Sequence, residues 1–143
     1  MRRPFYRFLP EVALADVAFA ARGDSPEMLF EASAMALTDV MVDRRGLRPT
    51  VERQVKLRSV DIDRLLYDFL TELIVLKDVD SLLFKRFEPH ISPDGRSLAC
   101  EMKGEPIDRE RHRLRNDVKA VTMHMFGVKH EAGLWKATVV LDI

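Results

Sequence analysis

The chain is organised around a segment near its end, Asp117-Val118-Lys119-Ala120-Val121-Thr122-Met123-His124. Read as a β-strand, its side chains alternate between two faces. Lys119 then shares a face with Val121 and Met123, so one ammonium group lies on an otherwise apolar face. Because an unpaired charge is costly to bury, Lys119 reaches water at a strand end or meets an acidic group. It is therefore either an ordinary lysine at a strand start or a cation held for an anionic partner.

Length and composition predict one globular domain with a substantial core. The chain has 143 residues, of which 47% are hydrophobic and 32% charged. The formal net charge is zero, which argues against non-specific binding of nucleic acid. The single cysteine, Cys100, excludes an internal disulfide and a cysteine-rich metal site and fits a reducing compartment.

Targeting signals are not evident in the sequence. Pro10 and Glu11 interrupt the apolar residues that follow the basic N-terminus, so we predict no signal peptide. No stretch approaches the roughly 18 apolar residues that a membrane helix needs. We therefore expect a cytoplasmic protein without a membrane partner.

Two helices are predicted from capping residues and periodicity. Ser25-Pro26-Glu27 is a typical helix start, and we expect this helix to run through Met41 and to end before Gly46. The second helix begins after a cap at Asp61. Its apolar residues recur three and four positions apart, at Ile62, Leu65, Leu66, Phe69, Leu70, Leu73 and Ile74.

The remaining segments read mostly as strands. They cover residues 12–20, 50–57, 82–88, 98–102, 117–126 and 135–142, with turns at Ser92-Pro93-Asp94-Gly95 and Glu131-Ala132-Gly133. Residues 104–116 are polar and rich in arginine, which predicts a loop or flexible flap, with a phosphate-contacting loop as the alternative. Together these elements predict a single two-layer α+β domain over residues 1–143. Its mixed or antiparallel sheet has about six strands, and both helices lie on one face.

Motifs of common enzymes are missing. The sequence contains neither the P-loop pattern nor G-x-G-x-x-G, and it has no G-x-S-x-G elbow. Its four histidines lack short-range zinc spacing such as H-E-x-x-H. We therefore expect a protein that is not itself an enzyme.

Oxygen donors are concentrated at the end of the sequence. Asp142 and Ile143 directly follow an apolar strand, so the Asp142 carboxylate, the carboxylate of Ile143 and backbone carbonyls would be adjacent. Such a cluster suits Ca²⁺ or Mg²⁺ rather than zinc. Asp16 lies within an apolar run and completes this site if the first and last strands are neighbours; otherwise it lies on a solvated face.

At this point the residues resemble a known family, the archeases, over nearly the whole chain. The strand motif and the Asp-Ile ending are specific when taken together. The matching segments are Ala15-Asp16-Val17 with Gly23-Asp24, Val40-Met41-Val42-Asp43, Leu65-Leu66-Tyr67-Asp68-Phe69-Leu70, Gly104-Glu105, His112, Val118-Lys119-Ala120-Val121-Thr122-Met123-His124 and Val140-Leu141-Asp142-Ile143.

The resemblance implies a single α+β domain that binds a divalent cation, typically Ca²⁺. By this likeness, Asp16 matches the metal-binding aspartate of the family, and Asp142 and Ile143 match its C-terminal ligands. Lys119 matches the lysine needed to activate a partner enzyme. One departure is clear, because the family's His-Thr before the aspartate is Ala13-Leu14 here. Loss of such supporting residues costs ~10–100-fold in metal affinity or activity.

The implied function is that of a non-catalytic accessory protein. It would activate an RtcB-type RNA ligase in tRNA splicing by promoting its guanylylation and multiple turnover, and would meet RNA only indirectly. The alternative is a chaperone-like modulator of a tRNA methyltransferase or another RNA-processing enzyme. A direct RNA-binding role for the loop at residues 109–115 is a third hypothesis, against which the zero net charge argues.

Overall fold

The structure, a computed structural model, describes residues 3–10 and 16–143. In chain order the elements are β1 (Phe5–Phe8), β2 (Val17–Gly23), α1 (Pro26–Met41), a 3₁₀ turn (Arg44–Gly46), β3 (Val51–Arg58), α2 (Ile62–Asp80), β4 (Leu82–Ile91), β5 (Ser97–Pro106), β6 (Ala120–Glu131) and β7 (Leu134–Asp142).

The strands form two antiparallel sheets, with the orders β1-β2-β7-β6 and β3-β5-β4. The α+β class is confirmed. The predicted single sheet of about six strands is wrong in detail, because the described residues form seven strands in two sheets. Helix α1 packs against β2 of one sheet and β4 of the other. It is therefore buried on nearly every side, which small residues such as Ala32, Ala34 and Ala36 permit.

Both helices begin where the sequence predicts. The Ser25 hydroxyl accepts a hydrogen bond from the Met28 N–H at 3.2 Å, and the Asp61 carboxylate accepts one from the Arg64 N–H at 2.8 Å. These bonds satisfy backbone donors that the first turn leaves without partners.

The predicted run of the first helix through Met41 is confirmed, but Gly46 does not terminate it. Helix α1 stops at Met41, and Gly46 instead closes the separate 3₁₀ turn. Val42 is extended, is fully buried and forms an isolated bridge with Leu114. A long-range contact therefore ends this helix before the local glycine signal is reached.

The predicted strand start at Asp117 is also displaced, because β6 begins only at Ala120. Val118 and Val121 are both buried in the core, which a regular strand alternation would not allow. Residues 117–119 are held by other contacts. The Val118 carbonyl accepts a hydrogen bond from the Lys77 ammonium at 2.8 Å, and the Lys119 N–H donates to the Asp142 carbonyl at 2.8 Å.

Strand β6 carries a bulge in its middle. Its pairing with β7 shifts between Thr122 and Gly127, and Met125 adopts a positive φ of 56°. Met123 and Met125 lie within this bulge and are 62% and 54% exposed. The predicted alternation of this strand therefore ends at Thr122.

The residues after β5 form a loop that is anchored at many points. Arg115 and Asn116 donate backbone N–H groups to the Met41 and Val40 carbonyls, at 2.8 and 3.1 Å. The Arg115 guanidinium also donates to the Asp39 carbonyl at 2.8 Å. The predicted loop is confirmed for residues 107–116, whereas residues 104–106 belong to β5. The contacts above hold this loop in place, so the flexible flap is wrong. Among the described residues, no helix combines the length and apolarity needed to cross a membrane.

Candidate metal and partner site

Strand register brings the predicted site residues to one end of the four-stranded sheet. Leu141 of β7 pairs with Val17 of β2 on one side and with Val121 of β6 on the other. Asp16 directly precedes β2, and Lys119 directly precedes β6. Asp142 ends β7 and is followed by Ile143. Because β7 runs antiparallel to both neighbours, these four residues occupy adjacent strand ends, with about 4.8 Å between neighbouring strands.

The two aspartates share the outer face of this sheet. Asp142 follows Val140 in alternation, and Asp16 precedes Ala18, which pairs with Val140. Both aspartates are exposed, and neither side chain makes a hydrogen bond or ion pair with any residue in the ranges 3–10 and 16–143. Two carboxylates at adjacent strand ends, with no cationic partner among these described residues, repel each other unless a cation lies near them.

The donor set has the chemistry of a site for a hard cation. It consists of two carboxylates and the oxygens of Ile143, all oxygen ligands of the kind that Ca²⁺ and Mg²⁺ prefer. No group of three or more histidine, cysteine, aspartate or glutamate side chains suited to a metal occurs among the described residues. Water would therefore have to supply several ligands. Cation binding at this corner remains a prediction.

Lys119 is exposed at the strand end, so it reaches water as one sequence interpretation required. Asp117 and Val118, which precede Lys119, are held in place by Lys77, a buried residue in the last turn of α2. The Lys77 ammonium contacts the Asp117 carboxylate at 2.5 Å and that of Asp78 at 2.9 Å. This hydrogen bond and the charge of Lys77, together with the nearby charges of Lys119 and Arg109, lower the pKa of Asp117. The periodic pattern of α2 gave no sign that Lys77 is buried.

A second buried polar cluster anchors the loop that leads to Lys119. Glu105 is 6% exposed; one of its oxygens accepts hydrogen bonds from the Arg48 N–H at 2.6 Å and the His112 ring at 2.9 Å. The other oxygen accepts from Arg111. Burial alone raises the pKa of Glu105, but the bonds from His112, Arg48 and Arg111 outweigh it, so that the pKa is lowered.

The proton position on His112 follows from its partners. Its Nδ1 accepts a hydrogen bond from the Asp108 N–H at 2.9 Å, so this nitrogen carries no proton. The ring proton is therefore on Nε2, where it is donated to Glu105. In the sequence, Gly104-Glu105 and His112 were marks of a resemblance only, and nothing in their spacing indicated this contact.

Gly104 has a steric role at the same point. A Cβ atom there would lie 1.9 Å from the Leu83 carbonyl oxygen. Only glycine therefore allows β4 and β5 to pair at this position and to place Glu105 beneath the loop. The Ala13 and Leu14 departure lies outside the described residues.

Comparison with known proteins identifies the family. A model of the archease protein family (MTH1598/TM1083) matches residues 6–143. Curated archeases from Methanothermobacter thermautotrophicus and Pyrococcus abyssi are 41% and 39% identical to this chain; each match covers 90% of this chain and 93% of the relative.

Solved structures agree with these sequence matches. The solution structure of Methanobacterium thermoautotrophicum protein 1598 is 36% identical, with a TM-score of 0.80, covering 96% of this chain and 98% of that one. The crystal structure of a Thermotoga maritima archease, described as a possible chaperone, covers 100% and 98% with a TM-score of 0.65; at 21% identity it supports the fold alone. The chain therefore belongs to the archease family.

Proposed function

We propose that this protein is a non-catalytic accessory factor that activates an RtcB-type RNA ligase, the enzyme class that carries GMP on a histidine during RNA joining. The activity itself is inferred from the family resemblance. The observation that supports it here is the shared strand end of Lys119, Asp16 and Asp142. At this corner an exposed ammonium lies near two carboxylates that would hold a cation, and both positive charges would suit a phosphate on a partner.

The chain's own residues would act by positioning charge. Asp16, Asp142 and the oxygens of Ile143 would hold a divalent cation, which when bound supplies positive charge for a phosphate group. Lys77 holds residues 117 and 118 in place and therefore also positions the backbone from which the Lys119 side chain extends. Preorganised positive charge at a phosphate stabilises the charge that develops during nucleotidyl transfer, while the bond-making groups remain those of the ligase.

The cation site is tested by calorimetric titration of the purified protein with Ca²⁺. Because only two side-chain carboxylates would contribute, we expect weak binding with a Kd on the order of 10⁻⁴–10⁻³ M. Asp142→Asn should weaken binding at least about tenfold through loss of a charged ligand. Asp80→Asn, which removes an exposed carboxylate elsewhere, is the matched control. Absence of Ca²⁺ and Mg²⁺ binding by the wild type would contradict the cation site.

The activating role is tested with a purified RtcB-type ligase, GTP and an RNA substrate in excess over the enzyme. We expect this protein to increase multiple-turnover ligation and the fraction of guanylylated ligase. Lys119→Ala should reduce this gain by at least about tenfold, a loss of ~1.4 kcal/mol. Lys136→Ala, at another exposed position, should retain the gain. Unchanged turnover with the wild-type protein would refute the role.

A chaperone-like role is the second candidate. The exposed Met123 and Met125 on the β6 bulge favour it, because methionine-rich surfaces adapt to different partners. This role predicts reduced aggregation of a client such as a tRNA methyltransferase and indifference to Lys119→Ala. Replacement of both methionines with serine should abolish that protection.

A further inference from the structure

The Thr122 hydroxyl is buried and makes no hydrogen bond with any described residue. An unsatisfied buried hydroxyl costs about 1–3 kcal/mol and is rare in folded proteins. Buried hydroxyls elsewhere in the chain are satisfied: Ser33 and Thr38 donate to the Leu29 and Ala34 carbonyls at 2.8 and 2.9 Å. The hydroxyl of Thr122 therefore requires an explanation of its own.

Thr122 lies one row inside the acidic corner, on the same face of the sheet. It pairs with Val140, which pairs with Ala18 on the other side. The next row outward contains Asp142, with Ala120 as its partner on β6 and Asp16 at the end of β2. Thr122 and Asp142 are thus diagonal neighbours, whose Cα atoms are about 7–8 Å apart in an antiparallel pair.

The other surroundings of this row are apolar. Val140 and Ala18 are buried and pack with Leu9, so the row offers the hydroxyl no polar side chain. Toward the corner, the next residue of β6 on this face is Ala120, which is exposed and has a small side chain. The distance between Thr122 and Asp142 is too long for a direct hydrogen bond between their side chains. It accommodates one water molecule between the Thr122 hydroxyl and a cation held by the two aspartates.

We propose that Thr122 is a positioning residue of the cation site, whose hydroxyl forms a hydrogen bond with a water ligand of the cation bound by Asp16 and Asp142. This inference rests on the proposed cation site. It explains the buried hydroxyl as a group that finds its partner only when the hydrated cation is bound. It also supplies one of the supporting contacts that a site with few protein ligands needs.

The test compares Thr122→Val with Thr138→Val. Valine keeps the shape and removes the hydroxyl; Thr138 lies on the same face, paired with Ala20 and Gly127 farther from the corner. Ca²⁺ binding is measured by calorimetry, and the thermal midpoint is measured with and without Ca²⁺. We expect Thr122→Val to weaken binding by ~10-fold or more and to reduce the Ca²⁺-induced rise of the midpoint. Thr122→Ser should retain binding, and Thr138→Val should match the wild type.

Stability without Ca²⁺ separates this role from a packing role. Thr122→Val should be at least as stable as the wild type in the absence of Ca²⁺, because it removes an unsatisfied polar group. Wild-type binding that is weakened by Asp142→Asn but unchanged by Thr122→Val would overturn the role of Thr122 alone. No Ca²⁺ or Mg²⁺ binding by the wild type would overturn both this role and the cation site.

Discussion

Two lysines near the acidic corner differ in their surroundings and therefore in what their removal does. Lys77 is 8% exposed and bonds to the Val118 carbonyl, whereas Lys119 is exposed. The carboxylates that pair with Lys77 are themselves largely exposed, so these ion pairs contribute little stability. The larger effect of Lys77 is to satisfy a buried backbone acceptor.

We predict that Lys77→Met lowers the free energy of unfolding by about 1–3 kcal/mol, because the Val118 carbonyl loses its donor. Lys119→Met should change it by no more than about 0.5 kcal/mol. Urea denaturation at neutral pH measures both variants. Equal effects of the two substitutions would contradict the anchoring role of Lys77.

Glu105 makes stability depend on pH. Its pKa is lowered in the folded state, so its contribution is present above the unfolded value near 4.3 and is lost as pH falls through the folded value. Glu105→Gln should cost roughly 2–4 kcal/mol at pH 7, since it leaves Arg111 and His112 without their charged partner. The difference from the wild type should shrink below about pH 4. Urea titrations from pH 7 to pH 3 measure it, and a constant difference would argue against this linkage.

At the scale of elements, the pairing of β4 with β5 depends on one residue without a side chain. Gly104→Ala would force a Cβ atom against the Leu83 carbonyl oxygen. We predict a loss on the order of 3–5 kcal/mol or failure to fold, measured by thermal denaturation. Gly46→Ala is the matched control, because no atom lies within 4 Å of a Cβ there. A Gly104→Ala protein as stable as the Gly46→Ala protein would contradict this account.

The elements that the sequence predicts correctly are those with local signals. Ser25 and Asp61 cap their own helices, and the Ser92–Gly95 and Ala132–Gly133 turns need only their own residues. The errors occur where distant residues decide. The bridge from Val42 to Leu114, and not Gly46, terminates α1, and the bond from Lys77, 41 residues away, holds Val118 outside the strand.

The candidate site shows the same division between local and distant information. Residue types at positions 16, 119 and 142 indicated a charged corner, and the family resemblance connected them, but only strand register brings them to the same sheet end. Thr122 carried no signal of its own in the sequence. Its hydroxyl, which has no hydrogen-bond partner in the part of the chain that the structure describes, becomes evident only when burial and hydrogen bonds are known.

At the scale of the whole molecule, the free edge of β6 is protected by helix α2. Tyr67 donates a hydrogen bond to the Val121 carbonyl at 3.2 Å, and Asp63 accepts one from the Val128 N–H at 3.0 Å. These contacts lie on either side of the bulge at residues 123–126. Side chains thus occupy backbone groups that would otherwise pair with the strand of another molecule.

We predict that the double variant Tyr67→Phe/Asp63→Ala associates with itself through this edge. It loses both hydrogen bonds, while the ring of Tyr67 that packs against Phe126 is kept. Light scattering during mild heating should show aggregation at a lower temperature than for the wild type, and infrared spectra should gain intermolecular β-structure. An Asp68→Ala variant on the same helix controls for loss of charge, since Asp68 bonds to Ser59 and Arg64 rather than to β6. If the double variant remains monomeric up to its unfolding temperature, the bulge alone protects the edge and the helix contacts serve only to orient α2.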